Sequence, residues 1–221
     1  MYPSFIVEYG VAPHHLSKEV FIGIVKWLRE TRVEAKHTGR KLEADALKIV
    51  INRIYGALND AMDYLYDPEC TYTVTINLQL LLCGLIEAFE LNNFDVLSAN
   101  TDGLLLRLPL NRQGVFKHIC NEWSVYSKLD LETEKFEKYC RSAVNDYIAV
   151  GYGFYDALQE YNRCGVWIDS KSNTYTTRQA IEDKFIKFKG YFLQDPEYNK
   201  GFVYPVVKKA LKEYFLYGVD I

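Results

Sequence analysis

Closely spaced cysteines are missing from this chain. Its five, Cys70, Cys83, Cys120, Cys140 and Cys164, are odd in number and widely separated, with no CxxC pair. That pattern argues against structural zinc and reads as free thiols in a reducing compartment. Adjacent His14 and His15 point apart on any regular backbone and have no third ligand nearby, so no metal is expected there. Long apolar runs are missing too. The longest, near residues 78–91, is interrupted by polar side chains and reads as too short to span a bilayer. No signal peptide is read at the N-terminus, so a cytoplasmic protein without a membrane partner is expected. Charge of one sign is absent: the net charge is −3, which excludes a global basic field. There is no internal repeat and no low-complexity tract.

What is there suits a packed core. The 221 residues, 49% hydrophobic and 25% charged, are enough for one large domain or two small ones. Basic residues cluster locally, in residues 18–48 and again in 184–189, and local patches attract phosphates whatever the average charge. Aromatics reach 15%, with 18 tyrosines, a composition that serves stacking on nucleotides or plain core and surface filling.

Periodicity predicts a helix over 17–37, with Ser17 as N-cap and Val20, Phe21, Ile24, Trp27 and Leu28 at helical spacing. Thr38-Gly39 ends it. A second helix is predicted over 42–64, carrying Ala44, Leu47, Ile51, Ile54 and Leu58 along one side, so the two form an antiparallel pair. Asp67-Pro68-Glu69 breaks the pattern, and a buried apolar helix is predicted over 71–91. Apolar segments 94–97 and 104–108 flank a polar turn and read as a β-hairpin with Asp102 at its tip. Further expectations are a helix over 111–128, extended chain over 129–150 and an irregular polar insertion over 152–179. A strand with one basic face is expected over 185–192, and a terminal helix over 204–217. The layout is α+β: a helical hairpin inserted before a mixed sheet backed by helices.

Chemistry concentrates in a few places. Lys48, Asn52 and Tyr55 share one helix face and could meet a phosphate, a sugar and a base. Arg32 and Lys36, four apart on the preceding helix, form a second basic pair. By spacing alone a solvated charged face is the commoner explanation. Asp102, held at a tight turn, is a hard-oxygen ligand suited to Mg²⁺, although a lone Asp-Gly turn is usually only a turn.

Taken in order, these segments resemble the motifs of family B (α-like) DNA polymerases, in a divergent bacteriophage form. Tyr2-Pro3-Ser4 resembles the end of DxxSLYPS. Residues 48–56, from Lys48 through Asn52 to Tyr55-Gly56, resemble KxxxNSxYG. Ser98-Ala99-Asn100-Thr101-Asp102-Gly103 resembles the YGDTDS hairpin. Asn145-Asp146-Tyr147 and Lys187-Phe188-Lys189-Gly190 resemble the KxY segment and the K-x-K-G strand after it. The resemblance covers residues 2–190, and 208–215 look like the approach to a thumb. It implies a palm, an antiparallel sheet backed by helices, with an inserted two-helix fingers hairpin. Residues 1–13 and 65–200 would be palm, 14–64 fingers and 201–221 the thumb approach.

The resemblance also implies roles. Lys48, Arg32 and Lys36 would hold the triphosphate of an incoming dNTP, and Asn52 would lie near sugar and triphosphate. Tyr55 and Gly56 would border the nascent base pair, and Tyr2 would pack under the deoxyribose and reject a 2′-hydroxyl. Asp102, with Asn100, would bind Mg²⁺, two ions serving the complete enzyme. Gly56, Tyr147, Lys187 and Lys189 would approach primer-template DNA. For a viral enzyme the compartment would be the host cytoplasm.

Departures from the family pattern are specific. The family's opening acid lies five residues before the Tyr of YPS, and here Met1 directly precedes Tyr2. Asn100 replaces the first Asp of DTD, Asn145 the Lys of KxY, and Arg53 the Ser of NSxYG. Glu132 and Glu134 are nearby acids that could supplement Asp102. The expectation is a palm-fingers part of a polymerase completed by an N-terminal polymerase/exonuclease segment, which supplies the first acid, and by a thumb segment. The alternatives are a decayed, non-catalytic module that binds nucleotide or primer-template, and an unrelated α+β protein with a solvated basic helix pair.

Overall fold

Proline and glycine punctuate the first elements. Tyr2–Tyr9 form α1, with Pro3 in the first turn, where a missing N–H breaks no helical bond. Helix α2 spans Lys18–His37, and the Ser17 side chain accepts from the Val20 N–H as expected of its cap. Gly39, with φ 74°, takes the left-handed turn that sends the chain back into α3, Lys41–Leu58. This computed structural model describes residues 1–101, 103–143, 146–190 and 205–218. The chain divides into two compact units, Met1–Leu131 and Glu132–Ile221, and the fold is α+β in character.

In the first unit, α2 buries Phe21, Val25, Leu28 and Ala35. The predicted stripe is therefore rotated: Val20, Ile24 and Trp27 stand 50–61% exposed. Helix α3 buries Ala44, Ile51 and Leu58, as the period predicts. It stops at Leu58 rather than Tyr64. Asp60 and Asp63 side chains accept the backbone N–H of Met62 and Leu65, and such turns outcompete helix in a short polar stretch.

Helix α4 begins at Pro68 and runs to Leu91, earlier than the apolar run suggested. Asp67-Pro68-Glu69 is a start signal: Asp67 caps the Cys70 N–H at 2.9 Å, and Pro68 takes the first helical position. At 24 residues it is also longer than expected, enough by length and composition to cross a membrane. Its apolarity is accounted for on one face by packing, since Cys70, Val74, Leu78, Leu82, Leu85 and Phe89 are buried. The other face is open, with Tyr72, Ile76 and Leu80 exposed, so the helix is not buried all round.

Strands β1, Asp95–Asn100, and β2, Gly103–Arg107, form the expected antiparallel hairpin, closed by the pair Asn100↔Gly103. A single 3₁₀ turn, Leu110–Arg112, precedes α5, Gln113–Ser127. The Trp123 indole N–H on α5 donates to the Leu81 carbonyl at 2.8 Å, and α5 packs on α4. Phe5, Ile6, Phe21, Val74, Leu78 and Phe89 lie at the centre of this unit's core.

The second unit opens with β3, Phe136–Ala143, and β4, Asp146–Gly151, so the extended 129–150 region resolves into two paired strands. Residues 152–179 are not an irregular insertion. They form α6, Phe154–Cys164, the short strands β5, Trp167–Ile168, and β6, Thr174–Tyr175, and the start of α7, Arg178–Phe185. Phe154 and Ala157 are buried, which makes the segment core rather than surface, and α7 goes on to bury Ile181. Strand β7 is Ile186–Lys189; Phe185 belongs to α7, and Tyr191 and Phe192 lie outside the described residues. Helix α8, Pro205–Tyr217, closes the unit. The sequence suggested one mixed sheet. Among the described residues the strands form three separate, wholly antiparallel sheets: β1-β2, β3-β4-β7 and β5-β6.

Helix α8 is held by a buried acid. Glu182 on α7 accepts from Arg178 at 3.0 Å and also pairs with Lys212 and the Tyr217 hydroxyl on α8. Burial alone would raise the Glu182 carboxyl, but Lys212, Tyr217 and Arg178 outweigh it and hold it below its ordinary value.

Candidate functional site

In the first unit the residues singled out by the sequence gather on α1, α2 and α3. Tyr2 and Tyr55 are 53 positions apart in sequence, yet their rings stack with centroids 4.1 Å apart and planes 2° from parallel. Both are half-buried against the core. The Tyr55 hydroxyl lies 2.7 Å from Thr75 Oγ1 on α4. This ring pair lies on the elements from which the basic residues project.

Arg32 continues the buried stripe of α2 through Phe21, Val25, Leu28 and Ala35 and is itself half-buried. Its Nε is buried and has no hydrogen-bond partner among the described residues. A guanidinium N–H so placed is held ready for an acceptor. Lys36 and Lys48 are exposed, on helices that pack against each other, and neither has a salt bridge among the described residues. Several other cations of this helix pair are paired, Arg40 with Glu34 at 3.2 Å and Glu43 at 2.8 Å and Arg29 with Glu8 at 3.6 Å, whereas Lys18 and Lys41 also have no salt bridge among the described residues. Arg53, which stands where the family pattern has Ser, reaches Asp60 and Asp63 at 3.2 and 2.8 Å, and so clamps the turn after α3.

Asn52 and Gly56 are exposed on α3. A Cβ built at Gly56 meets nothing within 4 Å, so packing does not require glycine there. Asp102 lies outside the described residues, as does Asn145. Asn100 is half-buried at the end of β1, and its Oδ1 accepts from the Thr101 hydroxyl at 3.0 Å. Thr101 has φ 37°, a left-handed conformation rare for a β-branched residue and a mark of a tight tip. The described residues contain no group of three His, Cys, Asp or Glu placed to share a metal.

The other candidates belong to the second unit. Register places Tyr147 opposite Lys189 and Ala149 opposite Lys187, so these lysines share one face of the sheet with the Tyr147 ring. The opposite face, Ile148, Val150 and Ile186, is buried. Lys189 Nζ is 5.9 Å from the Tyr147 ring centroid. Lys187 pairs with both Glu134 oxygens at 2.6 Å, which commits that carboxylate to a lysine. Gly190 has φ 112°, and any Cβ there would strike Asp146, which explains the glycine after Lys189.

Two further members of this face escaped the sequence reading. Tyr139 stacks on Tyr147 at 4.9 Å, and Arg141 is paired in register with Tyr147. Their two-residue spacing was the available signal, hidden inside a stretch read only as extended. His14 and His15 also take defined places. The His14 ring is 2.9 Å from Asp67 and His15 Nε2 is 2.8 Å from the Tyr64 carbonyl. Both tie the chain before α2 to the approach to α4. No family model and no curated protein matches this chain.

Proposed function

We propose that this chain is the fingers and palm part of a DNA-directed DNA polymerase, transferring a dNTP onto a primer 3′ end. What supports the reading is the Tyr2–Tyr55 stack, formed by two residues from separate motifs on elements shared with Arg32, whose buried Nε has no partner among the described residues, and with Lys36 and Lys48. In this reading α2 and α3 are the fingers hairpin. Lys48 and Lys36 meet the triphosphate, and Arg32 offers its buried N–H to it, offsetting the charge that develops on transfer. Tyr2 presents a flat ring against C2′, leaving no room for a 2′-hydroxyl. Asn52 lies beside the sugar and triphosphate, and Gly56 lets the template strand approach α3 without a side chain between. In the second unit the sheet face of Tyr147, Lys187 and Lys189 approaches the primer-template backbone, where cations supply sequence-independent attraction.

Asp102 and Asn100 are the proposed Mg²⁺ donors from this chain. Bound Mg²⁺ would activate the 3′-hydroxyl and screen the phosphates. One carboxylate and one amide are too few charges for two ions, so in this reading a further acid from another segment completes the set. A second reading, a nucleotide-binding module without catalysis, is favoured by one detail: the Asn100 oxygen already accepts from Thr101 and carries no charge.

Primer extension tests the two readings. With the preceding segment co-expressed, extension requires Mg²⁺ and is abolished by Asp102→Ala. Extension that survives the substitution rejects the metal assignment. Titration with Mg·dATP and no extension under any condition favours the binding module. Lys48→Ala is expected to weaken that titration about ten-fold, the scale of one charge-assisted contact.

A further inference from the structure

We infer that Thr75, on α4, is a positioning residue that sets sugar selection by locking the Tyr55–Tyr2 ring pair; this rests on the nucleotide-binding reading above. Thr75 Oγ1 lies 2.7 Å from the Tyr55 hydroxyl and 2.7 Å from the Thr71 carbonyl. A threonine hydroxyl has one proton, and the Thr71 carbonyl can only accept. The Thr75 proton therefore goes to Thr71, and the Tyr55 phenol must be the donor to Thr75. The bond has a direction: Tyr55 to Thr75 to Thr71.

That direction fixes more than one contact. Thr71 is buried near the start of α4, and the chain ends on its backbone carbonyl; separately, the Thr71 hydroxyl donates to the Asp67 carbonyl at 3.1 Å. The Tyr55 ring is thus held at its far end by α4 and at its near end by α3. Tyr2 then lies flat on it, 2° from parallel. A ring free to swing about its χ angles gives a soft wall against C2′; a ring pinned through its stacking partner gives a hard one. Without the hydroxyl at position 75, Tyr55 keeps a half-buried phenol with no acceptor there, and the pair can relax away from the sugar.

Titrate the whole chain calorimetrically with Mg·dATP and with Mg·ATP, and compare the ratio of the two affinities. Thr75→Val, which keeps the shape and removes the acceptor, is expected to reduce the preference for dATP about three- to ten-fold, the range of one hydrogen bond. Thr75→Ser is expected to restore it. Tyr55→Phe should lose as much as Thr75→Val, and the double variant no more than either, because both remove the same bond. A near-ultraviolet circular dichroism change in the tyrosine band should accompany the loss. If Thr75→Val does not fold, Tyr55→Phe carries the test alone. A dATP preference unchanged in Thr75→Val or Tyr55→Phe overturns the inference while leaving the nucleotide site standing. A wild-type chain that binds both nucleotides alike overturns the inference and leaves nucleotide binding standing; one that binds neither overturns both.

Discussion

At the scale of single residues, the arginines of the helix pair differ in how they are held. Arg53 and Arg40 are each held by two acids, whereas among the described residues Lys36 and Lys48 have no salt bridge and the buried Arg32 Nε has no acceptor. Gly56 follows the same logic. Glycine inside a helix weakens it, and here no neighbour demands it. Gly56→Ala is therefore expected to stabilise the chain by about 0.5 kcal/mol in chemical denaturation. If Gly56 faces primer-template as proposed, the same change should weaken DNA binding, because the new methyl occupies space that is open in the wild type. Stabilisation with unaltered DNA binding would remove Gly56 from the interface. The residues legible in the sequence were those with unusual chemistry at motif spacing: Tyr2, Lys48, Asn52 and Tyr55. Thr75 was not legible, since a threonine in an apolar helix is distinguished only by the ring that reaches it from another helix. Tyr139 and Arg141 were missed for the same reason: their meaning comes from strand register, which is long-range.

At the scale of elements, local signals read well where they were self-contained. Ser17, the Gly39 turn and the Ala44-Ile51-Leu58 stripe predicted both helices and the bounds of α2 within a residue, while α3 ends six residues short of the predicted Tyr64. Reading failed where one segment's meaning depended on another. Residues 152–179 look polar because α6 and α7 each contribute only a narrow buried edge, Phe154 with Ala157 and Ile181, that makes sense once they meet. Asp67-Pro68 shows the other failure, a start signal taken for a break. That corner is also where pH should act. The His14 ring pairs with Asp67 and lies 3.9 Å from Glu69, and the Asp67 hydrogen bond chiefly raises its value. Burial pushes the Asp67 carboxyl up, but N–H groups of Cys70 and His14 and the His14 ring overcome this and hold it at about 2. The signs follow. The raised His14 contributes fully below about pH 6.5 and fades as pH climbs through its folded value. The lowered Asp67 contributes above about pH 3.9 and is lost as pH falls toward 2. The melting-temperature gap between wild type and His14→Ala should thus be widest near about pH 5 and narrow by about pH 8. A gap constant across that range would show that the ring acts by packing alone. Asp67→Asn, which keeps one oxygen for the cap but replaces the other, facing the His14 N–H and ring, with an uncharged NH₂, should cost about 1–2 kcal/mol at mildly acidic pH.

At the scale of the whole molecule, the first unit has backbone left over. β1 and β2 pair only with each other among the described residues, so each presents an outer edge of N–H and C=O groups. A two-stranded sheet is marginal in water, and an open edge is a template for another strand. The same unit exposes Tyr72, Ile76 and Leu80 along α4, and a net charge of −3 offers little repulsion between copies. Together these features predict concentration-dependent self-association of the chain on its own, measured by light scattering after size exclusion. Two manipulations locate the cause. Leu97→Lys places a charge on β1, the standard defence of an open strand, and should shift the distribution toward monomer. Co-expression with a segment that supplies a neighbouring strand should do the same without any substitution. If Leu97→Lys changes nothing while Ile76→Lys restores the monomer, association runs through the α4 face rather than the sheet edge. A monomer at every concentration would mean that the hairpin needs no third strand and that neither the sheet edge nor the α4 face drives association.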